Sequence, residues 1–226
     1  MAGQYIKRQV KTKTMKAKKW LLQIPYNIRR AYNKKKIKSR DFTVISNNCW
    51  AGKLYQYLDM PYLSPTVGLY FFADDYLKFV KNLKYYMSLE LGFISASESK
   101  YCNVLTNRNQ FDRIIGTLDD VEIVFLHYKS REEAIEKWNR RKKRINWDKI
   151  VVKFSQMNEC HDEQLNQFDS LDIPQKFMLT TNKKKTYNCE FYWNGGTDGE
   201  GQILLDTIPF PGNLNISKIL KKVGVR

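Results

Sequence analysis

The chain has 226 residues, 42% of them apolar, with fourteen tyrosines, enough for one substantial domain with a real core. No stretch approaches the roughly 20 apolar residues of a membrane span, and residues 1–19 lack the apolar core of a secretory signal, so an intracellular protein is expected. The net charge of +16 is uneven: residues 1–40 hold fourteen Lys/Arg and no Asp or Glu, while the other 186 hold 25 basic and 23 acidic groups, which excludes a basic groove running across the whole body.

In chain order, the first element is therefore a basic tail over residues 1–40, followed by a single α/β domain over 41–226. Within the tail, Trp20, Leu21, Leu22, Ile24, Tyr26 and Ile28 lie among Lys18, Lys19, Arg29 and Arg30. That mixture suits an anionic membrane surface, with RNA as the alternative that charge alone allows. Beyond it, strands are predicted at 42–46, 66–72, 121–126, 150–154 and 176–180, and helices at 50–59, 75–91, 131–145 and 160–168. Strands and helices alternate, which predicts a mostly parallel sheet flanked by helices. Ser130 and Glu133 form an S-x-x-E start signal for the third helix, whose acids come early and bases late. Residues 92–118 read as an exposed loop and an irregular or β-rich excursion, and Trp193 to Gly199 as a loop.

Chemistry in such a fold gathers outside the carboxyl ends of the strands. The turn Ser46-Asn47-Asn48-Cys49 after the first strand is the leading candidate, because amides, a thiol and the first free N–H groups of a helix can together hold an anion or oxyanion. The structural reading is that Ser and Asn cap the helix and Cys packs. His127, at the end of the run Val121 to Leu126, would face the same crevice if the two strands are neighbours, and an imidazole is the usual general base. Arg140 and Arg144 lie four apart on one helical face and can clamp phosphate or carboxylate, or simply face water. Asp74 and Asp75 begin a helix, where Asp caps, and the pair can also bind a divalent ion. Cys49, Cys102, Cys160 and Cys189 are widely spaced and read as reduced thiols, and Cys160-His161 as structural. There is no G-x-G-x-x-G, Walker A or G-x-S-x-G sequence.

The segments FTVISNNCWAGKLYQYL, SPTVGLYFFADDYLKFVKNLKYY, VEIVFLHYKSREEAIEKWNRRKKRINWDKIVVKF and KFMLTT resemble a bacterial family labelled exopolysaccharide biosynthesis protein, over residues 40–223. The resemblance implies a Rossmann-like three-layer α/β domain acting on a glycan or glycan precursor at the cytoplasmic face of the membrane. The Asn-Cys turn is also similar to capsule-biosynthesis proteins that bind coenzyme A and transfer acyl groups. For acyl transfer, His127 would be the base, Asn47 and Asn48 the orienting or oxyanion groups, Cys49 a nucleophile, and Ser46, Arg140 and Arg144 would hold the coenzyme A thioester. For glycosyl transfer from a nucleotide sugar, Asp74 and Asp75 with a divalent metal and the same arginines would carry the chemistry. A non-catalytic glycan-binding protein would instead use Trp50, Tyr55, Trp138, Trp147 and Trp193 as stacking surfaces.

Overall fold

The computed structural model describes residues 25–184 and 186–225. The chain divides into two units, the first ending at Lys38 and the second beginning at Ser39. In the first, residues 25–36 are helical (α1), and Ile28 and Tyr32, four residues apart, are both exposed on it beside Arg29, Lys35 and Lys36. Trp20, Leu21, Leu22 and Ile24 of the expected amphipathic tail lie outside the described residues. Among the described residues no helix is long and apolar enough to cross a membrane.

The second unit runs β1 (Thr43–Ser46), α2 (Trp50–Leu58), β2 (Leu69–Tyr70), α3 (Ala73–Lys81), α4 (Leu83–Ser88), β3 (Gly92–Ile94), α5 (Cys102–Asn107), β4 (Ile114–Leu118), β5 (Val121–Phe125), α6 (Arg131–Lys142), β6 (Ile150–Ser155), α7 (Asp162–Ser170), β7 (Lys176–Thr180), β8 (Glu190–Tyr192) and α8 (Ile216–Lys222). It is an α/β fold, but the expectation of one mostly parallel sheet needs correction. Strands β1, β6, β7 and β8 form a four-stranded sheet in that order with every pairing parallel. Strands β2, β5, β4 and β3 form a separate antiparallel sheet.

The antiparallel sheet owes its existence to a hairpin that the apolar pattern does not reveal. Leu118 pairs with Val121 across Asp119 and Asp120, and Asp119 takes the left-handed φ of 53° that so short a reversal needs. A short Asx residue tolerates that conformation better than a β-branched one. A two-residue loop makes β5 the antiparallel neighbour of β4, since parallel neighbours need a crossover of a dozen or more residues.

One continuous core joins the two sheets. Tyr76 and Phe79 of α3 pack with Ile45, Val152 and Phe154 of the parallel sheet and with Ile123 and Phe125 of the antiparallel one. The Tyr76 ring stacks on Phe154 at 5.6 Å. Its hydroxyl donates within 2.8 Å of both the Ile45 and Lys153 carbonyls, so an aromatic residue ties β1 to β6 from the side. The Ser130 hydroxyl accepts the Glu133 amide as the sequence predicts, but Glu133 returns the favour to the Lys129 amide.

Candidate functional site: a cation-lined pocket

The turn after β1 is built by side chains that copy backbone. Asn47 donates its amide to the Ser155 carbonyl and accepts the Ser155 N–H, both at 3.0 Å, continuing the β1–β6 ladder one residue past the strand. Ser46 Oγ donates to the Asn48 carbonyl at 2.7 Å and accepts the Ala51 N–H at 3.2 Å, and Asn48 Oδ1 accepts the Trp50 N–H at 3.1 Å. The first two amides of α2 are thus already satisfied from within the turn, which corrects the expectation that they stand free for an anion. Ser46, Asn47 and Asn48 are all buried, and their hydrogen bonds hold the turn that carries Cys49.

Beneath this turn lies a fully buried ion pair, Lys153 of β6 with Asp206, at 2.5 Å. Asp206 also accepts from Ser155 Oγ at 2.5 Å and Asn48 Nδ2 at 2.9 Å, while Lys153 donates to Asn48 Oδ1 at 3.1 Å. Burial pulls the Lys153 ammonium below its ordinary range, and the Asp206 carboxylate beside it pulls the other way. The network anchors the irregular segment containing Asp206 across the carboxyl end of the parallel sheet.

Cys49 and His127 do line one cavity, of about 270 Å³, though not by the expected route of neighbouring parallel strands. Their strands belong to different sheets, and the link is β2. The Phe71 N–H donates to the Asn47 carbonyl at 3.0 Å, fastening β2 to the β1 turn. The Gly68 carbonyl accepts from Leu126 and His127 at 2.9 and 3.1 Å, fastening the end of β5 to the entrance of β2. Gly68 has φ +80°, and a Cβ there would lie 3.2 Å from the Tyr128 ring, so only glycine fits.

The cavity is lined by Lys53 and Gln56 of α2, by Tyr62, by His127 and Tyr128 after β5, and by Lys137 and Arg141 of α6, with no Asp or Glu among the described residues of its wall. Arg141 is buried, 6% exposed. Its guanidinium donates to the Val67 carbonyl at 3.1 Å and the Tyr128 hydroxyl at 2.7 Å and lies 4.9 Å from the Tyr62 ring centre. Among the described residues it has no carboxylate partner. Burying a cation costs free energy that hydrogen bonds and an opposite charge offset, and here a carbonyl, a hydroxyl and aromatic rings supply the contacts. Lys53 has no ion-pair partner among the described residues either, whereas Lys137 pairs with Glu133 at 2.5 Å. Burial, reinforced by the Asp206 charge, pushes the Cys49 thiol up to about 11, so it is a neutral wall of the pocket and not a ready thiolate.

The remaining candidates sit elsewhere. Arg140 is exposed and pairs with Glu136 at 3.2 Å, and Arg144 is exposed and reaches the Tyr62 carbonyl at 3.4 Å; neither lines the pocket. Asp75 is buried, accepting from Lys100 Nζ at 2.6 Å and from the Glu122 N–H at 2.8 Å, while Asp74 accepts from Gln164 at 2.8 Å. Among the described residues no group of three or more His, Cys, Asp or Glu could hold a metal ion. Trp50, Tyr55, Trp138 and Trp193 are core residues, and only Trp147 of that set is exposed. Lys53, Lys137 and Arg141 were legible in principle: Lys53 follows Cys49 by one helical turn, and Lys137 and Arg141 are one turn apart on α6.

Fold and site together define an α/β protein with a cation-lined pocket at the carboxyl end of β1. The chain belongs to the family described as domain of unknown function DUF1919, whose model matches residues 22–206. That span takes in every pocket residue and ends at Asp206. The chain is also similar to an uncharacterized protein of Haemophilus influenzae, with 28% identity over 161 residues, covering 71% of this chain and 72% of that protein.

Proposed function

We propose that this protein is a metal-independent glycosyltransferase of surface-polysaccharide synthesis, holding the diphosphate of a sugar donor in the Lys53–Lys137–Arg141 pocket. The observation that carries this is Arg141, a buried cation facing a cavity with no carboxylate of its own. A bound phosphate group completes it. The glycan context comes from the family resemblance in the sequence.

The anion-binding side chains and His127 share one small cavity, which favours a donor whose charge adjoins the reacting carbon. A nucleotide sugar meets that requirement; coenzyme A does not, since its phosphates lie a whole pantetheine arm from the thioester. In the reaction the acceptor hydroxyl oxygen bonds to the anomeric carbon and its proton passes to the His127 imidazole. The bond from that carbon to the phosphate oxygen breaks, and the electron pair leaves with the diphosphate. Lys53, Lys137 and Arg141 neutralise the charge that develops there, as cationic clamps do on other phosphates. A divalent ion shared by Asp74 and Asp75 would have to displace Lys100 and the Glu122 amide, which engage both oxygens of the buried Asp75. A neutral Cys49 leaves no covalent intermediate in the scheme. The basic residues 1–40, with exposed Ile28 and Tyr32, would hold the enzyme against the anionic cytoplasmic face of the membrane.

Calorimetric titration of the full chain with UDP-glucose, GDP-mannose, UDP, GDP and acetyl-coenzyme A, with and without Mn²⁺, tests the reading. Saturable diphosphate binding without metal is expected, weakened roughly 10- to 100-fold in Arg141→Met, the range for a charged hydrogen-bond donor. His127→Ala should bind the donor and fail to turn it over. Acetyl-coenzyme A as the sole ligand, or unchanged binding in Arg141→Met, would overturn it.

A further inference from the structure

A second concavity, of about 590 Å³, lies at the amino-terminal end of the parallel sheet, opposite the end that carries the pocket. Three loops build it: the α3–α4 junction, the approach to β6, and the approach to β7. Its chemistry differs from that of the pocket. Trp147 (42% exposed) and Tyr85 (49% exposed) present aromatic surface to it. Asn82, Asp148 and Gln175 add amide and carboxylate groups. Lys81 and Lys84 are matched in number by Asp148 and Asp172, so the groove carries no net charge.

We propose that this groove binds an uncharged oligosaccharide, as a holding site separate from the pocket. Exposed aromatic faces beside amides and carboxylates match the two surfaces of a pyranose, an apolar C–H face and a rim of hydroxyls. An anionic ligand would find no field to attract it, and a purely apolar one would leave the carboxylates and amides desolvated without partners. Gln175 supports the assignment: its Oε1, shielded from solvent, has no hydrogen-bond partner, so its amide can turn toward a ligand hydroxyl without breaking a bond on that oxygen. The size suits a ligand site, which in proteins runs to about 300–1,000 Å³. Trp147 is the one exposed tryptophan among the described residues, so occupancy has its own optical reporter.

This inference stands apart from the glycosyltransferase reading, and its test separates the two. Intrinsic fluorescence of the full chain is followed during titration with maltoheptaose, cellopentaose and mannohexaose, with sedimentation velocity in parallel. Saturable binding is expected for at least one of them, weakened at least tenfold in Trp147→Ala and in Tyr85→Ala. Arg141→Met should bind the oligosaccharide as the unmodified chain does, even though it loses the diphosphate. Circular dichroism confirms that the two aromatic variants are folded, as their exposure leads one to expect. Three results would overturn the proposal: no binding by any of the three sugars, equal binding in Trp147→Ala, or self-association that Trp147→Ala abolishes, which would make the groove a contact between copies of the chain.

Discussion

Replacing Asp206 with Ala tests how the carboxyl end of the parallel sheet is held together. The substitution removes the acceptor of three bonds, from Lys153, Ser155 and Asn48, and strands an ammonium whose side chain is 0% exposed. Among the described residues the other acceptor of that ammonium is Asn48 Oδ1 at 3.1 Å. Breaking one partner of such a pair costs about 3–5 kcal/mol. For a domain of this size that lowers Tm by roughly 6–20 °C. The double variant Asp206→Ala/Lys153→Met removes both charges and should recover a large part of the loss, which urea denaturation of the full cycle measures. The pH dependence carries a second signature. In Asp206→Ala, burial holds the Lys153 pKa below its unfolded value with no carboxylate to oppose it. The unfolded chain then binds more protons between the lowered value and the ordinary lysine range, so stability rises with pH across that window. A loss of less than about 1 kcal/mol, or strict additivity in the cycle, would refute the reasoning.

Three further outcomes follow from the pocket walls. Because the Cys49 thiol is pushed from 9.0 up to about 11, its thiolate fraction at pH 8 is roughly 100-fold below that of an ordinary cysteine. Its alkylation by iodoacetamide, followed by peptide mass spectrometry, should climb tenfold per pH unit to about pH 11; a plateau near pH 8 would restore the nucleophile reading. The same shift means that the folded chain keeps a proton which the unfolded one loses between about 9 and 11, so Cys49 lowers stability as pH rises through that interval. Gly52→Ala would place a Cβ 2.9 Å from Val67 Cγ1, and the stiff β-branched side chain cannot swing away. Since the Val67 carbonyl accepts from both Tyr128 and Arg141, the variant should lose about 1–3 kcal/mol of stability and weaken diphosphate binding together. Thermal melting and titration would show the two effects separately if the pocket is not coupled to this contact.

Much of the framework was readable from local pattern. The runs at 42–46, 150–154 and 176–180 correspond to β1, β6 and β7, because strands buried on both faces appear as mostly apolar runs, here FTVIS, IVVKF and KFMLT. The helices at 50–59 and 131–145 are α2 and α6, one beginning in a turn of Ser and Asn and the other at the Ser130 cap. Strand β8 escaped notice, since Glu190 to Tyr192 is three residues long and carries a buried carboxylate. Of the arginines of α6 and its end, Arg141 lines the pocket, while Arg140 and Arg144 do not. Arg140, Arg141 and Arg144 are indistinguishable as residues, and the face of α6 that turns inward is set by how Trp138 and Ala134 seat against the core.

Sequence by itself determined that a basic segment precedes a near-neutral α/β body, that a polar turn follows the first strand, and that no familiar nucleotide or hydrolase motif is present, because these depend only on composition and short-range order. It could not distribute the strands between two sheets, since an apolar run states that a strand is buried and says nothing of the partner it pairs with. Only the tertiary structure decided that Asp119 and Asp120 fold β5 back onto β4, that Gly68 brings His127 back to Cys49, and that Arg141 faces the cavity with no carboxylate partner among the described residues. Each of these rests on contacts between residues far apart in the chain, and local propensity carries no information about them.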